Sequence, residues 1–349
     1  MVSTPGPASR PSFRALVGVG GIGAGTVFGL EGDHDLGRNE SRPGRLLDVR
    51  DYCKLHIIAH YPAVLLGGRR SGPPFRVVPI GKVGADETGR RVRREMAEAG
   101  MDVRLVEEVP GRPTLQSVCF LYPDGSGGNV TTCDSAASAL TADEVDEAAG
   151  LLDERTIALA APEAPLGARH RLLEQATRRG AFRAAALTGS EAGEIRACGL
   201  LDHVDLLALN EDEAAALGGV VFEADAPRSC LEACAALLRP GARVVVTAGS
   251  RGAFALGEGG FEHHSAAAVP VASTAGAGDA LLGGILTGLA GGVPYSEAFA
   301  LGVCAAAFSV TSPHTIPEGL SRDALAAFAH EHGLELPPRV SRLLAAASA

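Results

Sequence analysis

Short apolar runs recur along the chain and alternate with segments of helical pattern. The runs are Ala15-Leu16-Val17, Val77-Val78-Pro79-Ile80, Ile157-Ala158-Leu159-Ala160, Ala184-Ala185-Ala186-Leu187, Leu206-Leu207-Ala208-Leu209 and Val244-Val245-Val246-Thr247. Candidate helices fall between them at residues 90–99, 166–179, 212–217 and 231–238. This alternation predicts an α/β fold, a mainly parallel central sheet with helices on both faces.

Two stretches break the alternation. Residues 31–50 are polar and loop-like, while Thr114, Gln116, Val118 and Phe120 stand at alternate positions ahead of Pro123-Asp124-Gly125, with Asn129-Val130-Thr131 beyond. The second stretch predicts a hairpin. Together, residues from about 31–50 and 110–133 are expected to form a small β lid over a ligand site at the carboxyl ends of the main strands. The expected organisation is a flexible Pro-, Ser- and Gly-rich tail over 1–12, one domain over 13–335, and a tail or short helix over 336–349.

Composition narrows the class. The chain has 349 residues, of which 46% are hydrophobic and 45 are glycine, which suits a globular protein with many strand-to-helix turns. A net charge of -10 argues against nucleic acid as a partner, since that affinity needs clustered Lys and Arg. Lys54 and Lys82 are the only lysines. The seven cysteines lack zinc-site spacing and the density of a secreted disulfide scaffold, so reduced, mostly buried thiols are expected, with Cys230 and Cys234 on one helix face. No apolar run reaches the length of a membrane span, and the start lacks the apolar core of a signal peptide, which together point to the cytoplasm.

The segment richest in chemistry is Ser273-Thr274-Ala275-Gly276-Ala277-Gly278-Asp279-Ala280-Leu281-Leu282-Gly283-Gly284. Glycines at 276 and 278 let the backbone turn so that its N–H groups converge at the start of an apolar helix, where the dipole adds positive potential. An anionic group can dock there, with Asp279 beside it. That arrangement suits phosphoryl transfer, in which a carboxylate takes the proton of the attacking hydroxyl. The plainer reading is a glycine-rich helix entry with Asp279 as an ordinary N-terminal cap.

Two further segments add to it. Asn210-Glu211-Asp212-Glu213 follows a strand directly, so Asn210 and Glu213, three apart, can offer oxygens to magnesium-bound water or to nucleotide phosphates; an acidic helix start is also common as capping. Thr247-Ala248-Gly249-Ser250-Arg251-Gly252 lets a nucleotide approach the backbone at Gly249 and Gly252, with the Thr247 hydroxyl available to a phosphate; a plain hairpin turn is the alternative. Gly81 to Gly89 repeats the strand, glycine turn and helix order, and is read as architecture.

In this order the segments resemble the ribokinase-like, or phosphofructokinase-B type, carbohydrate kinases over about residues 13–317. The resemblance rests on Gly276-Ala277-Gly278-Asp279, Asn210-x-x-Glu213, Thr247-x-Gly249-x-x-Gly252 and the turn over 81–89. It implies a β lid, transfer from the γ-phosphate of ATP with Mg2+, Asp279 as base, and an anion hole of Gly276, Ala277 and Gly278. It further implies ATP contacts at Asn210, Thr247, Gly249 and Gly252, a Mg2+ motif at Asn210 and Glu213, and a homodimer formed through the lid.

The acceptor side departs from that family. Where an Asp is usual soon after the first strand, the run is Gly20-Gly21-Ile22-Gly23-Ala24-Gly25, and where a double glycine and an Asn are usual, it reads Asp51-Tyr52-Cys53-Lys54-Leu55-His56-Ile57-Ile58. Ser273 replaces an Asp, which puts a monovalent-cation site in question. Lys54, His56 and Gln116 are therefore the expected acceptor contacts. Two rivals remain: a dinucleotide-binding oxidoreductase, from the literal G-x-G-x-x-G at 18–23, and a catalytically silent ribokinase-like sensor. The first requires a helix next and an acidic residue after a second strand, and neither is evident.

Overall fold

The computed structural model describes residues 13–67, 75–123, 127–223 and 225–345. The expected tail over 1–12, the hairpin residues Asp124 and Gly125, and the last four positions of the chain lie outside them.

Seven parallel strands form the body of the main sheet: β1 (Ala15–Val19), β4 (Arg76–Gly84), β5 (Val106–Val109), β8 (Thr156–Ala160), β9 (Phe182–Ala186), β10 (Leu206–Asn210) and β11 (Arg243–Thr247). Two antiparallel strands, β12 (Ala253–Gly257) and β13 (Gly260–His264), extend one edge, giving the order β13-β12-β11-β10-β9-β8-β1-β4-β5. Successive side chains point to opposite faces, which sorts each apolar run into two cores. Val17 and Val19 of β1, with Leu207 and Leu209 of β10, join α4 (Leu166–Arg178), α6 (Glu211–Gly218) and α7 (Arg228–Ala235). Leu16, Leu206 and Ala208 face α1 (Lys54–Gly67), α2 (Glu87–Glu98) and α8 (Ala277–Ala290) on the other side. The three short or peripheral helices α3 (Ala142–Asp146), α5 (Ala192–Ala197) and α9 (Tyr295–Val310) complete the layers, and α10 (Arg322–Glu331) and α11 (Pro338–Ala345) pack against α9.

A second sheet stands apart, in the order β3-β2-β6-β7, from β2 (Gly23–Leu30), β3 (Gly44–Tyr52), β6 (Leu115–Leu121) and β7 (Gly127–Thr131). It begins earlier than the polar stretch suggested, because β2 leaves the carboxyl end of β1 after only three residues. A strand therefore follows Gly18-Val19-Gly20-Gly21-Ile22-Gly23 where a dinucleotide fingerprint demands a helix. The turn over 81–89 is architectural: Asp86 caps α2 by accepting from the Gly89 amide (2.7 Å), and the same carboxylate accepts from the Thr114 amide (2.8 Å) and hydroxyl (2.6 Å). Thr114 immediately precedes β6, so these bonds anchor the lid to the main body. Lys82 is buried and paired with Glu144 at 2.5 Å.

Cys230 and Cys234 are buried together on α7, while Cys133 is exposed. Among the described residues no helix is long and apolar enough to cross a membrane.

α9 lies close against α8. A Cβ on Gly284 would lie 2.8 Å from the Gly302 Cα, and one on Gly302 would lie 2.6 Å from the Leu281 carbonyl oxygen. Gly302→Val should therefore destabilise the fold by about 1–3 kcal/mol through overpacking. Denaturant unfolding measures it, and an unchanged midpoint would mean that the helices do not need this separation.

Candidate active site

The carboxyl ends of β10 and β11 lie side by side, with Asn210 in register with Thr247. Asn210 caps α6 through a reciprocal pair of bonds: its Oδ1 accepts from the Glu213 amide at 2.8 Å, and Glu213 Oε2 accepts from the Asn210 amide at 2.8 Å. The three-residue spacing thus has a structural use. It also turns the second Glu213 oxygen outward, where Oε1 accepts from Lys54 Nζ at 3.2 Å. Burial alone would lower the Lys54 pKa, but the Asp279 and Glu213 carboxylates hold it above the ordinary amine value.

Thr247 Oγ1 donates to the Leu209 carbonyl at 3.4 Å and faces α8, since a Cβ on Gly278 would come within 3.5 Å of it. The chain then turns through Gly249, closed by the Ala248 amide on the Gly252 carbonyl at 2.8 Å. At the head of α8, Gly276 adopts a left-handed conformation (φ 79°) as the N-cap. The Ala277 amide donates to the Thr274 carbonyl at 3.3 Å. Among the described residues the next two amides, Gly278 and Asp279, have no acceptor, as expected of a first helical turn. Of the expected run Gly276 to Gly278, the Ala277 amide is thus occupied, and the two free amides belong to Gly278 and Asp279.

Burial pushes the Asp279 carboxyl up to about 6, with Lys54 pulling it down and Glu213 and Asp51 pushing it further up. A cavity of about 760 Å3 joins these groups. Lys54, Asn210, Glu213, Thr247 and Asp279 line its polar end, along with Gly249, Gly252 and Gly276 to Gly278. Val245, Val269, Val271, Val303 and Val310 line its apolar wall. Residues 266–271 reach this cavity as an irregular segment.

Two expected acceptor contacts lie elsewhere. His56 is buried, with its ring centroid 4.5 Å from that of Tyr52, and it lines a separate cleft of about 270 Å3 together with His60 and Glu95. Residues two apart on a helix point roughly 200° apart, so His56 cannot share the direction of Lys54. Gln116 is exposed on the outer face of the lid, since the inner face takes the buried Ser117 and, two residues on, Cys119.

Two carboxylates that sequence reasoning passed over, Glu163 and Asp51, act on the same group of charges. Glu163, just after β8, is the only non-glycine residue with positive φ (68°) among those described. Its Oε2 accepts from the Lys54 amide at 3.1 Å and lies over Gly21, where a Cβ would meet the Glu163 Cβ at 2.4 Å. Burial, then the Asp279 charge, raises its pKa to about 7. Asp51, in β3, pairs with Gly25 across the lid, and its Oδ2 occupies the space a Cβ on Gly25 would need, at 1.8 Å. Burial raises its pKa as well. The glycine run that lacks the expected Asp thus makes room for two carboxylates from other elements.

The family model for pfkB family carbohydrate kinases matches residues 63–321. A ribokinase from Haemophilus influenzae is 26% identical over 238 residues, covering 68% of this chain and 76% of its own. Among solved structures, an Arabidopsis thaliana ribokinase complexed with ribose and ATP superposes with a TM-score of 0.70 at 17% identity, over 90% of this chain and 98% of that one. A Burkholderia thailandensis nucleoside kinase in complex with inosine does so with a TM-score of 0.70 at 19% identity, over 92% of this chain and all of that one, 100%. With the family model spanning well over half its length, the chain belongs to the pfkB family of carbohydrate kinases.

Proposed function

We propose that this kinase transfers the γ-phosphate of ATP to a hydroxyl of a sugar, a nucleoside or a similar small molecule. One observation carries the reading: a carboxylate poised near neutrality, Asp279, stands beside the unpartnered Gly278 and Asp279 amides at the polar end of a large cavity. As the acceptor oxygen bonds to phosphorus and the bond to ADP breaks, Asp279 takes the hydroxyl proton. The amides and the α8 dipole stabilise the charge on the phosphoryl oxygens. The Thr247 hydroxyl and the turn through Gly249 and Gly252 suit the phosphates and ribose of ATP, and the valine-rich wall suits its base.

Mg2+ fits this site in a particular way. Among the described residues no group of three or more His, Cys, Asp or Glu side chains could hold a metal, and Glu213 spends one oxygen on its cap and shares the other with Lys54. Asn210 and Glu213 would hold Mg2+ through its water shell, the mode of an ion that arrives with nucleotide phosphates. When bound, the ion neutralises phosphate charge. Lys54 adds a fixed positive charge between Glu213 and Asp279. Reduced thiols throughout the chain are in keeping with a cytoplasmic site of action.

The lid also supports a homodimer. Its outer face carries Leu46, Val118 and Val130, exposed by 67%, 44% and 71%, with Val118 and Val130 in direct register. Such a strip on an antiparallel sheet suits a second lid. Replacing Leu46 and Val130 together by Asp should convert the dimer to a monomer in sedimentation velocity; a wild-type chain that sediments as a monomer would remove the idea.

Asp279→Asn should lower kcat by about 10²- to 10⁴-fold in an ADP-release assay across an acceptor panel, with ATP affinity nearly unchanged. Loss of ATP binding instead would give Asp279 a structural role, and acceptor binding without any wild-type turnover would favour a silent sensor. Since a protonated Asp279 cannot accept a proton, kcat/KM should fall as the pH drops through about 6 and level off above it. A rate that stays flat down to pH 5 would exclude Asp279 as the base.

A further inference from the structure

The cleft lined by His56 and His60, about 270 Å3 in volume, is separate from the cavity around Asp279. Its walls come from four parts of the chain. β3 contributes Arg50 and Tyr52, α1 the two histidines, α2 Glu95 and Glu98, and the loop after Thr315 contributes Ile316 and Leu320. Residues four apart on a helix share a face, so His56 and His60 look the same way, turned from Lys54. Backbone bonds hold the walls together: the Thr315 amide donates to the Arg50 carbonyl at 3.1 Å, the Arg50 amide to His314 Nδ1 at 3.1 Å, and the Tyr52 amide to Thr315 Oγ1 at 3.1 Å.

Around this space the fold leaves polar atoms unused. His56 Nδ1, His60 Nδ1 and Glu95 Oε2 are buried with no hydrogen-bond partner among the described residues. Buried polar atoms are normally bonded, so three at one cleft call for a partner from outside the chain. Their chemistry selects it. Burial lowers His56 to about 3 and His60 to about 4, so both rings are neutral at pH 7 and repel no cation. The one cationic side chain of the lining, Arg50, is paired with Glu318 at 3.4 Å. Glu95 has Arg91 at 3.6 Å from its Oε1, and Glu98 has Arg94 at 4.0 Å, which leaves Glu95 Oε2 as the spare acceptor.

Beside that acceptor stand aromatic rings. The centroids of Tyr52 and His56 are 4.5 Å apart and those of His56 and His60 5.9 Å, and after burial the Glu95 charge is what raises the Tyr52 phenol, to about 12. A carboxylate oxygen next to aromatic faces suits an organic ammonium, through a charge-assisted hydrogen bond and cation–π attraction. Ile316 and Leu320 offer its carbon stem an apolar wall. An anion would meet Glu95 and Glu98 instead. A bare metal ion would need more ligands, and no group of three that could hold one exists among the described residues.

We propose that the cleft between β3, α1, α2 and the loop after Thr315 is a binding site for a small organic ammonium, with Glu95 accepting its N–H and Tyr52 packed against its charge. A neutral imidazole accepts at one nitrogen, so His56 and His60 supply further acceptors. The site is distinct from the transfer site, since Lys54, Asn210, Thr247 and Asp279 line the larger cavity and none of them lines the cleft.

Calorimetry on the full chain tests this with 2-phenylethylamine, 2-phenylethanol and phenylacetate, which share one carbon skeleton and differ in charge. The amine should bind with a Kd of about 1 mM or below, a modest return for a ligand of its size. The alcohol and the acid should bind about 10-fold more weakly or worse, the range of a charge-assisted hydrogen bond. Glu95→Gln removes the charge and keeps the shape, while Ala99→Leu fills the cleft from the end of α2. Each should weaken the amine by about 10-fold or more. Saturating ATP should leave the amine Kd within about twofold, since uncoupled sites bind independently. Amine binding that is undetectable, that the alcohol or the acid equals, or that survives both substitutions would overturn the proposal. Displacement of the amine by ATP would do so too, by placing it in the larger cavity. The three ligands compared on wild type decide the matter even where a substitution unfolds the chain. None of these measurements requires turnover, so failure of the cleft and failure of phosphoryl transfer are distinguishable.

Discussion

The ion pair between Lys54 and Glu213 is the interaction on which the site depends. Three elements far apart in sequence meet there: α1 brings the ammonium, α6 brings the carboxylate, and α8 brings Asp279 into the field of both. Glu213 can serve because its other oxygen closes the α6 cap, which fixes the side chain without a second partner. Removing Lys54 would leave Glu213, Asp279 and Glu163 facing one another with no compensating charge, and breaking a buried pair in this way usually costs more than the pair contributes. The lysine thus has a structural demand on it before any substrate arrives.

The same charge acts on both buried carboxyls. Asp279 and Glu163 are both pushed up by burial, to about 6 and about 7, and each is influenced by Lys54. The difference lies in their partners. Asp279 opens onto the cavity and free amides, whereas Glu163 is bonded to the Lys54 amide and covers Gly21. A carboxyl that must exchange a proton with a ligand belongs in the first setting, and one that holds a ligand or a backbone in place belongs in the second.

The cluster of Asn210, Thr247 and the head of α8 was legible in the sequence because each of its motifs sits where a strand ends and a helix or turn begins. Asn210 and Thr247 terminate apolar runs that could be read directly, and parallel strands bring such ends to one edge of a sheet. The surroundings of Lys54 were not legible, for reasons that are equally local. His56 was paired with Lys54 by nearness in sequence, which helical geometry reverses, and Gln116 was placed on the face of β6 that alternation gives to Ser117. Asp51 and Glu163 carry no motif at all. Asp51 matters only because β3 pairs with β2 opposite Gly25, and Glu163 only because its loop folds back over Gly21. Both contacts are long-range consequences of a glycine run whose purpose cannot be read until its neighbours are known.

That glycine run links the two regions. β1 lies between β8 and β4, where the order of the main sheet reverses, so the chain leaving it enters the crevice at the carboxyl ends of the strands. A side chain at 21 or 25 would fill that crevice from β1 and β2 themselves. Glycine leaves it to be filled from a lid strand and from the loop after β8, elements that can change without disturbing the strands bearing Asn210 and Thr247. The sheet edge bearing Asn210 and Thr247 and the lid and loop bearing Asp51 and Glu163 can therefore vary independently, which is the arrangement expected where one fold serves many functions.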